Sequence, residues 1–201
     1  MANRTEKELA MELINISAKL REYGLNRISN AGNLSVRAGG DSVIMTPAGL
    51  DKSNLKSNQL STITLDGDLK KGFRQSSEWR LHTSIYENVD YVNAIVHVHP
   101  VFSLIMASKF GLKGLSFKRY EESAYYLGGN GFVGLVSAKS GTQELADKVS
   151  KQVENGAFVV IIKNHGTVGV GKTLWEAVSR LEALEYFSEQ NYRTKLLDRK
   201  F

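Results

Sequence analysis

The chain has 201 residues, with 42% hydrophobic and 23% charged residues, enough apolar material to bury a core in one domain of ordinary size. Two prolines and aperiodic glycines exclude collagen-like and disordered classes, and no apolar run reaches the ~18–20 residues a membrane span needs. The 26 basic and 21 acidic residues leave a net charge of +5, scattered except for Arg193, Lys195, Arg199 and Lys200 near the C-terminus, which reads as a solvated surface rather than a nucleic-acid footprint.

The first helix is signalled by Thr5 and Glu8, a T-x-x-E capping box, followed by Leu9, Leu13, Ile16 and Leu20 at helical spacing and by Gly24 as a stop. Met1 to Thr5 leads straight into this charged amphipathic pattern without an apolar signal segment, so export by that route is not expected and a cytoplasmic location is. Leu34–Arg37 and Ser42–Thr46 alternate as strands about a Gly39-Gly40-Asp41 turn, and Pro47-Ala48-Gly49 breaks the second. A further strand is expected over Gln59–Leu65. A helix is expected from Ser76-Ser77-Glu78 to about Asn88, with Trp79, Leu81 and Ile85 toward the core.

Asn93–His99 reads as a buried strand limited by Pro100, with a short helix over Phe102–Ser108. Gly114–Gly134, rich in glycine and tyrosine, gives no element. Thr142 or Ser140 caps a helix through Leu145, Val149 and Val153. Ala157–Ile162 is the strongest strand signal, and Thr167–Gly171 is its hairpin return beyond Asn164-His165-Gly166. Thr173 and Glu176 form a second capping box ahead of a final helix carrying Leu174, Ala177, Leu181, Leu184 and Phe187. The hairpin-like connections favour a mixed or mainly antiparallel sheet with helices packed on it. No repeat or linker divides the chain, so residues 1–201 are expected to form a single domain.

The sequence has no cysteine, so a transition-metal site must draw on histidine and carboxylates. Four histidines exist. His97 and His99, two apart on a strand, place both imidazoles on one face, where they are either metal ligands or half-buried histidines. His165 stands where a strand ends, and Gly166 allows a close approach or an unusual backbone angle. Together the three have the composition of a three-histidine site with an open coordination position, the catalytic type.

Ser76 and Ser77 at a helix start offer hydroxyls and free amides to a phosphate. Glu78 beside them is a metal ligand, a general base or simply a favoured N-terminal residue. His82, one turn after Glu78, either supports it or packs structurally. The turns Gly32-Asn33-Leu34-Ser35 and Thr46-Pro47-Ala48-Gly49 present amides that bind anions or merely reverse the chain.

In order, Gly-Asn-Leu-Ser-Val-Arg (Gly32 to Arg37), Thr-Pro-Ala-Gly (Thr46 to Gly49), Ser-Ser-Glu-Trp-Arg-Leu-His (Ser76 to His82), His-Val-His-Pro (His97 to Pro100) and Asn-His-Gly (Asn164 to Gly166) resemble the class II aldolase/adducin family along almost the whole chain. The resemblance implies a three-layer α/β/α fold around a mainly antiparallel sheet, and a homotetramer with active sites between subunits. It implies that His97, His99 and His165 bind catalytic zinc, although another divalent metal would suit the same ligands. Glu78 would then be the acid/base and a fourth ligand in the absence of substrate, and Asn33, Gly49, Ser76 and Ser77 would hold the phosphate of a sugar.

The activity implied is reversible cleavage of a ketose 1-phosphate to dihydroxyacetone phosphate and a short aldehyde. A methylthioribulose-1-phosphate dehydratase and a pentulose-5-phosphate 4-epimerase are the alternatives on this scaffold, with a non-catalytic interaction module as a distant one. Glutamate at 78 disfavours the epimerases, which carry aspartate there. Ala48 replaces a threonine of the family aldolases, and the family's C-terminal active-site tyrosine has no counterpart before Phe201, leaving Tyr120, Glu121, Glu122, Tyr125 and Tyr126 as candidate proton donors.

Overall fold

The computed structural model of the chain describes residues 4–128 and 131–198, so Arg199, Lys200 and Phe201 lie outside the described residues. Its first helix is α1 (Glu6–Lys19). The expected capping box is made in both directions, Glu8 N donating to Thr5 Oγ1 at 3.2 Å and Thr5 N to Glu8 Oε2 at 2.8 Å. The β1 (Asn33–Arg37) and β2 (Ser42–Met45) strands form the expected hairpin, turned at Gly39 and Gly40 with φ of 97° and 55°. The chain continues through β3 (Ser61–Thr64) and β4 (Leu69–Lys71). It then forms α2 (Trp79–Asn88), β5 (Ala94–Val98), α3 (Val101–Phe110) and the short α4 (Ser123–Leu127). It ends with β6 (Val133–Val136), α5 (Gln143–Glu154), β7 (Val159–Ile162), β8 (Gly166–Gly171) and α6 (Leu174–Leu197).

The eight strands make one sheet in the order β4-β3-β2-β1-β5-β8-β7-β6. Every neighbouring pair is antiparallel except β6 with β7, whose parallel pairing requires the crossover that α5 supplies. Alternation along the strands sorts the core into two layers. Leu34, Val36, Val96, Val98, Val159 and Ile161 face α1, α3 and α6, while Val43, Ile95, Val160, Ile162 and Val168 face α2 and α5. The architecture is therefore the expected three-layer α/β/α arrangement with a mostly antiparallel sheet. No described helix is long and apolar enough to cross a membrane.

Three local expectations are corrected. The helix expected from Ser76 begins at Trp79, with Glu78 as its N-cap, because Ser76 Oγ accepts Glu78 N at 3.3 Å and closes a separate turn first. At α6, Glu176 N donates to Thr173 Oγ1 at 3.2 Å, but Glu176 Oε2 accepts from Lys172 N at 2.9 Å, so the second box is half made and displaced by one residue. Strands β4 and β6 were not expected, nor was α4, which lies in the Gly114–Gly134 stretch read as giving no element. Strand β4 is an exposed edge containing two lysines, and β6 is four residues interrupted by Gly134, whose missing side chain makes room for Gln152 of α5.

Candidate metal centre and substrate pocket

His97 lies near the end of β5, paired with Asn33 of β1 and Val168 of β8 in the middle of the sheet. His99 follows just beyond the strand, its backbone N–H donating to Asn26 Oδ1 at 3.0 Å. His165 arrives from the β7–β8 turn, closed by His165 N donating to Ile162 O at 3.0 Å. The unusual backbone angle falls on Asn164, at φ 60°, rather than on Gly166. Asparagine visits the left-handed region more readily than most non-glycine residues, and here its Oδ1 also accepts from Ser108 Oγ of α3 at 2.6 Å. Gly166 serves the close approach instead, since a side chain there would sit 2.6 Å from both His97 Cε1 and His99 Cδ2.

One ring nitrogen from each of His97, His99 and His165 lies within 4.8 Å of the others. His97 Nε2 and His99 Nε2 are 3.2 Å apart, close to the ~3.3 Å edge of a tetrahedron built on typical zinc–imidazole bonds. His97 Nδ1 donates to Thr167 O at 3.1 Å, which fixes its proton on Nδ1 and leaves the Nε2 lone pair facing the cluster. Burial, reinforced by mutual repulsion, holds His97 well below the ordinary histidine range and His99 down to about 4, and burial lowers His165 too. All three are thus the neutral imidazoles that a metal requires, and the donor set fits a divalent cation.

A cavity of about 250 Å³ opens on the cluster. It is lined by Asn33, Gly49, Ser76, Ser77, Glu78, His97, His99 and His165, so every residue expected at the site meets there. Glu78 is buried, and among the described residues its Oε2 has no hydrogen-bond partner; burial raises its carboxyl above the usual range, opposed by a bond from the Gly141 backbone. Although it occupies the N-cap position, its side chain makes no cap bond, so the capping role is not the one it plays. Among the described residues, the group whose ligand atoms converge consists of the three histidines; Glu78 shares the cavity without joining that group.

Lys52 was not singled out by the sequence, where it is an ordinary lysine in a loop, yet it is buried and lines the same cavity. Its ammonium donates to Pro47 O and Leu50 O at 3.0 Å and to Asn30 O at 3.5 Å. Carbonyls rather than a carboxylate hold it by hydrogen bonds, and burial lowers its basicity below the ordinary lysine range, opposed by the neighbouring Asp51. The candidate proton donors Tyr120, Glu121, Glu122, Tyr125 and Tyr126 do not line this cavity. Tyr120 stacks on Phe187 at 5.1 Å, and Glu122 and Tyr126 border a larger cleft of about 830 Å³ beside α6 that contains none of the histidines.

The family described as Class II Aldolase and Adducin N-terminal domain matches residues 11–192. The chain is 33% identical over 181 residues to a 5-methylthioribulose-1-phosphate/5-deoxyribulose-1-phosphate aldolase of Rhodospirillum rubrum, covering 90% of this chain and 79% of the relative. It is 32% identical over 166 residues to an L-fuculose phosphate aldolase of Methanococcus maripaludis, covering 82% and 86%. A solved L-fuculose 1-phosphate aldolase superposes with a TM-score of 0.82 at 26% identity, over 98% of this chain and 91% of that one.

Proposed function

The chain belongs to the class II aldolase and adducin family, and from that premise we propose that it is a zinc-dependent aldolase acting, as one domain, on a ketose 1-phosphate like L-fuculose 1-phosphate. The products are dihydroxyacetone phosphate and a short aldehyde, and the reaction is reversible. The observation that carries this reading is the meeting of three neutral imidazoles, a buried carboxyl and a polar, cationic recess in one cavity.

Asn33, Gly49, Ser76 and Ser77 hold the phosphate, with the charge of Lys52 beneath them. Anchoring the phosphate places the reacting carbons between the histidine cluster and Glu78, so binding far from the broken bond is used for orientation. His97, His99 and His165 would hold a zinc ion, which when bound would supply Lewis-acid stabilisation of the negative charge that develops beside the carbonyl. Glu78 hands a proton to the carbon released by cleavage and removes it again in the condensation direction. Burial raises this carboxyl above the usual carboxylate range, so it holds a proton more readily than an exposed glutamate does, which suits the acid half of the exchange. We further read the molecule as a cytoplasmic homotetramer with sites between subunits, and as one without nucleic-acid partners.

Product analysis tests the reaction. Protein reconstituted with zinc is expected to release dihydroxyacetone phosphate from L-fuculose 1-phosphate or 5-deoxyribulose 1-phosphate, and chelation is expected to abolish this until zinc is restored. His97→Ala is expected to leave the purified protein without stoichiometric metal. Loss of water, inversion at the fourth carbon without cleavage, or full activity after chelation overturns the assignment.

A further inference from the structure

A chain of hydrogen bonds runs beneath the cavity and reaches it at Asn33. Tyr86 OH lies 2.8 Å from Ser35 Oγ, Ser35 Oγ lies 2.6 Å from His82 Nδ1, and His82 Nε2 lies 2.5 Å from Asn33 Oδ1. Two short sequence spacings build it. Asn33 and Ser35 are two apart on β1 and share a face; His82 and Tyr86 are four apart on α2 and share another. All four residues are buried, so no bulk water is at hand to complete their hydrogen bonding.

The direction of every proton follows from the far end. Ser35 Oγ is the one hydrogen-bond partner of Tyr86 OH among the described residues, so the buried phenol donates to it. Ser35 then has one proton to place, and His82 Nδ1 is the remaining acceptor in reach. Were Nδ1 protonated instead, the Ser35 proton would be stranded in the core. His82 Nδ1 is therefore the acceptor, and Nε2 carries the proton. Nε2–H points at Asn33 and selects its oxygen, which turns the amide NH₂ to the cavity that Asn33 lines.

We propose that His82 is a positioning residue for the substrate phosphate: its Nε2–H, set by Tyr86 and Ser35, locks the Asn33 amide with its donor toward the cavity. Without that lock the amide rotates freely, and its oxygen meets the phosphate with like charge as readily as its NH₂ meets it with a hydrogen bond. Burial keeps His82 neutral across the physiological range, so the lock does not open with pH. The inference rests on the reading of Asn33 as a phosphate ligand.

Two experiments test it. In zinc-loaded wild-type protein labelled with ¹⁵N-histidine, nitrogen–proton correlation spectra are expected to show the His82 ring proton on Nε2, unchanged between about pH 6 and 8; a proton on Nδ1 overturns the proposal without need of any variant. Titration with inorganic phosphate is expected to show about 10-fold weaker binding for both Asn33→Ala and His82→Leu. The double variant is expected to be no weaker than Asn33→Ala alone. His82→Gln, whose amide nitrogen can replace Nε2, is expected to recover binding to within about 3-fold. In turnover, His82→Leu is expected to raise KM for the phosphorylated ketose by a matching factor while kcat stays within about 3-fold. Weakened binding in Asn33→Ala with none in His82→Leu, or additive losses in the double variant, overturns the lock and leaves the phosphate site standing. Unchanged binding in Asn33→Ala overturns the phosphate site itself.

Discussion

Glu78 stands at the N-cap of α2, yet its carboxyl turns into the cavity with one oxygen unpaired. A buried carboxyl left unsatisfied costs stability, and it persists where proton transfer needs it. Glu78→Gln keeps the shape and removes the transferable proton. It is expected to retain zinc and lose turnover by roughly 10²–10⁴-fold in a cleavage assay, and near-normal rates dismiss Glu78 as the acid/base. His82 gives a prediction about pH. It is pushed down to about 3 by burial, while the unfolded chain's histidine titrates near 6.5. Above about pH 6.5 both states are neutral and the stability is fully present. Below that the unfolded state takes up a proton that the folded state refuses, so stability falls as pH drops toward 3, by up to about 1.4 kcal/mol per pH unit. Urea unfolding of chelated protein between pH 7 and 5 checks this, and His82→Leu is expected to flatten part of the slope. At this scale the sequence was informative about residue type: without cysteine, imidazoles and carboxyls are the side chains left to hold a transition metal. It was silent on Lys52, because nothing local distinguishes a buried lysine from a solvated one.

Secondary-structure elements carry those side chains to their places, and one distant contact governs a key placement. Helix α3 starts two residues after His99, and its first amides are held by α6. Val101 N and Phe102 N donate to Glu185 Oε1 at 2.8 and 2.7 Å, and Ser103 N donates to Glu185 Oε2 at 2.9 Å. A carboxylate at a helix N-terminus meets both the orphan donors and the positive end of the helix dipole. Glu185→Ala is expected to cost about 2–4 kcal/mol in urea unfolding and to loosen zinc through His99, whereas an exposed control such as Glu87→Ala on α2 is expected to change neither. Most elements were readable in the chain because the α5 and α6 caps, the β1 alternation and the apolar runs of β5 and β7 are local signals. Glu185 was not, since α6 and α3 are far apart in sequence and only folding brings the carboxylate to those amides.

Across the whole molecule the layers meet at closely fitted points. Gly169 of β8 faces α6, and a side chain there would lie 2.6 Å from Ala177 O and 2.7 Å from Leu181. Gly169→Ala is expected to push α6 outward and cost about 1–3 kcal/mol, read as a lower urea midpoint with zinc content unchanged. The sheet order explains how one cavity gathers Asn33, Ser76 and His165: β1, β5 and β8 are spatial neighbours, and α2 lies across the face on which Asn33 and His97 are paired. By itself the sequence determined five of the six helices, most strands, the cysteine-free donor set and the face that His97 and His99 share, because capping and periodicity act within a few residues. Only the tertiary structure decided that His165 joins them, that Glu78 turns inward instead of capping, and that Tyr86 orients Asn33. Those outcomes depend on antiparallel pairing and layer packing between distant segments, which no local pattern encodes.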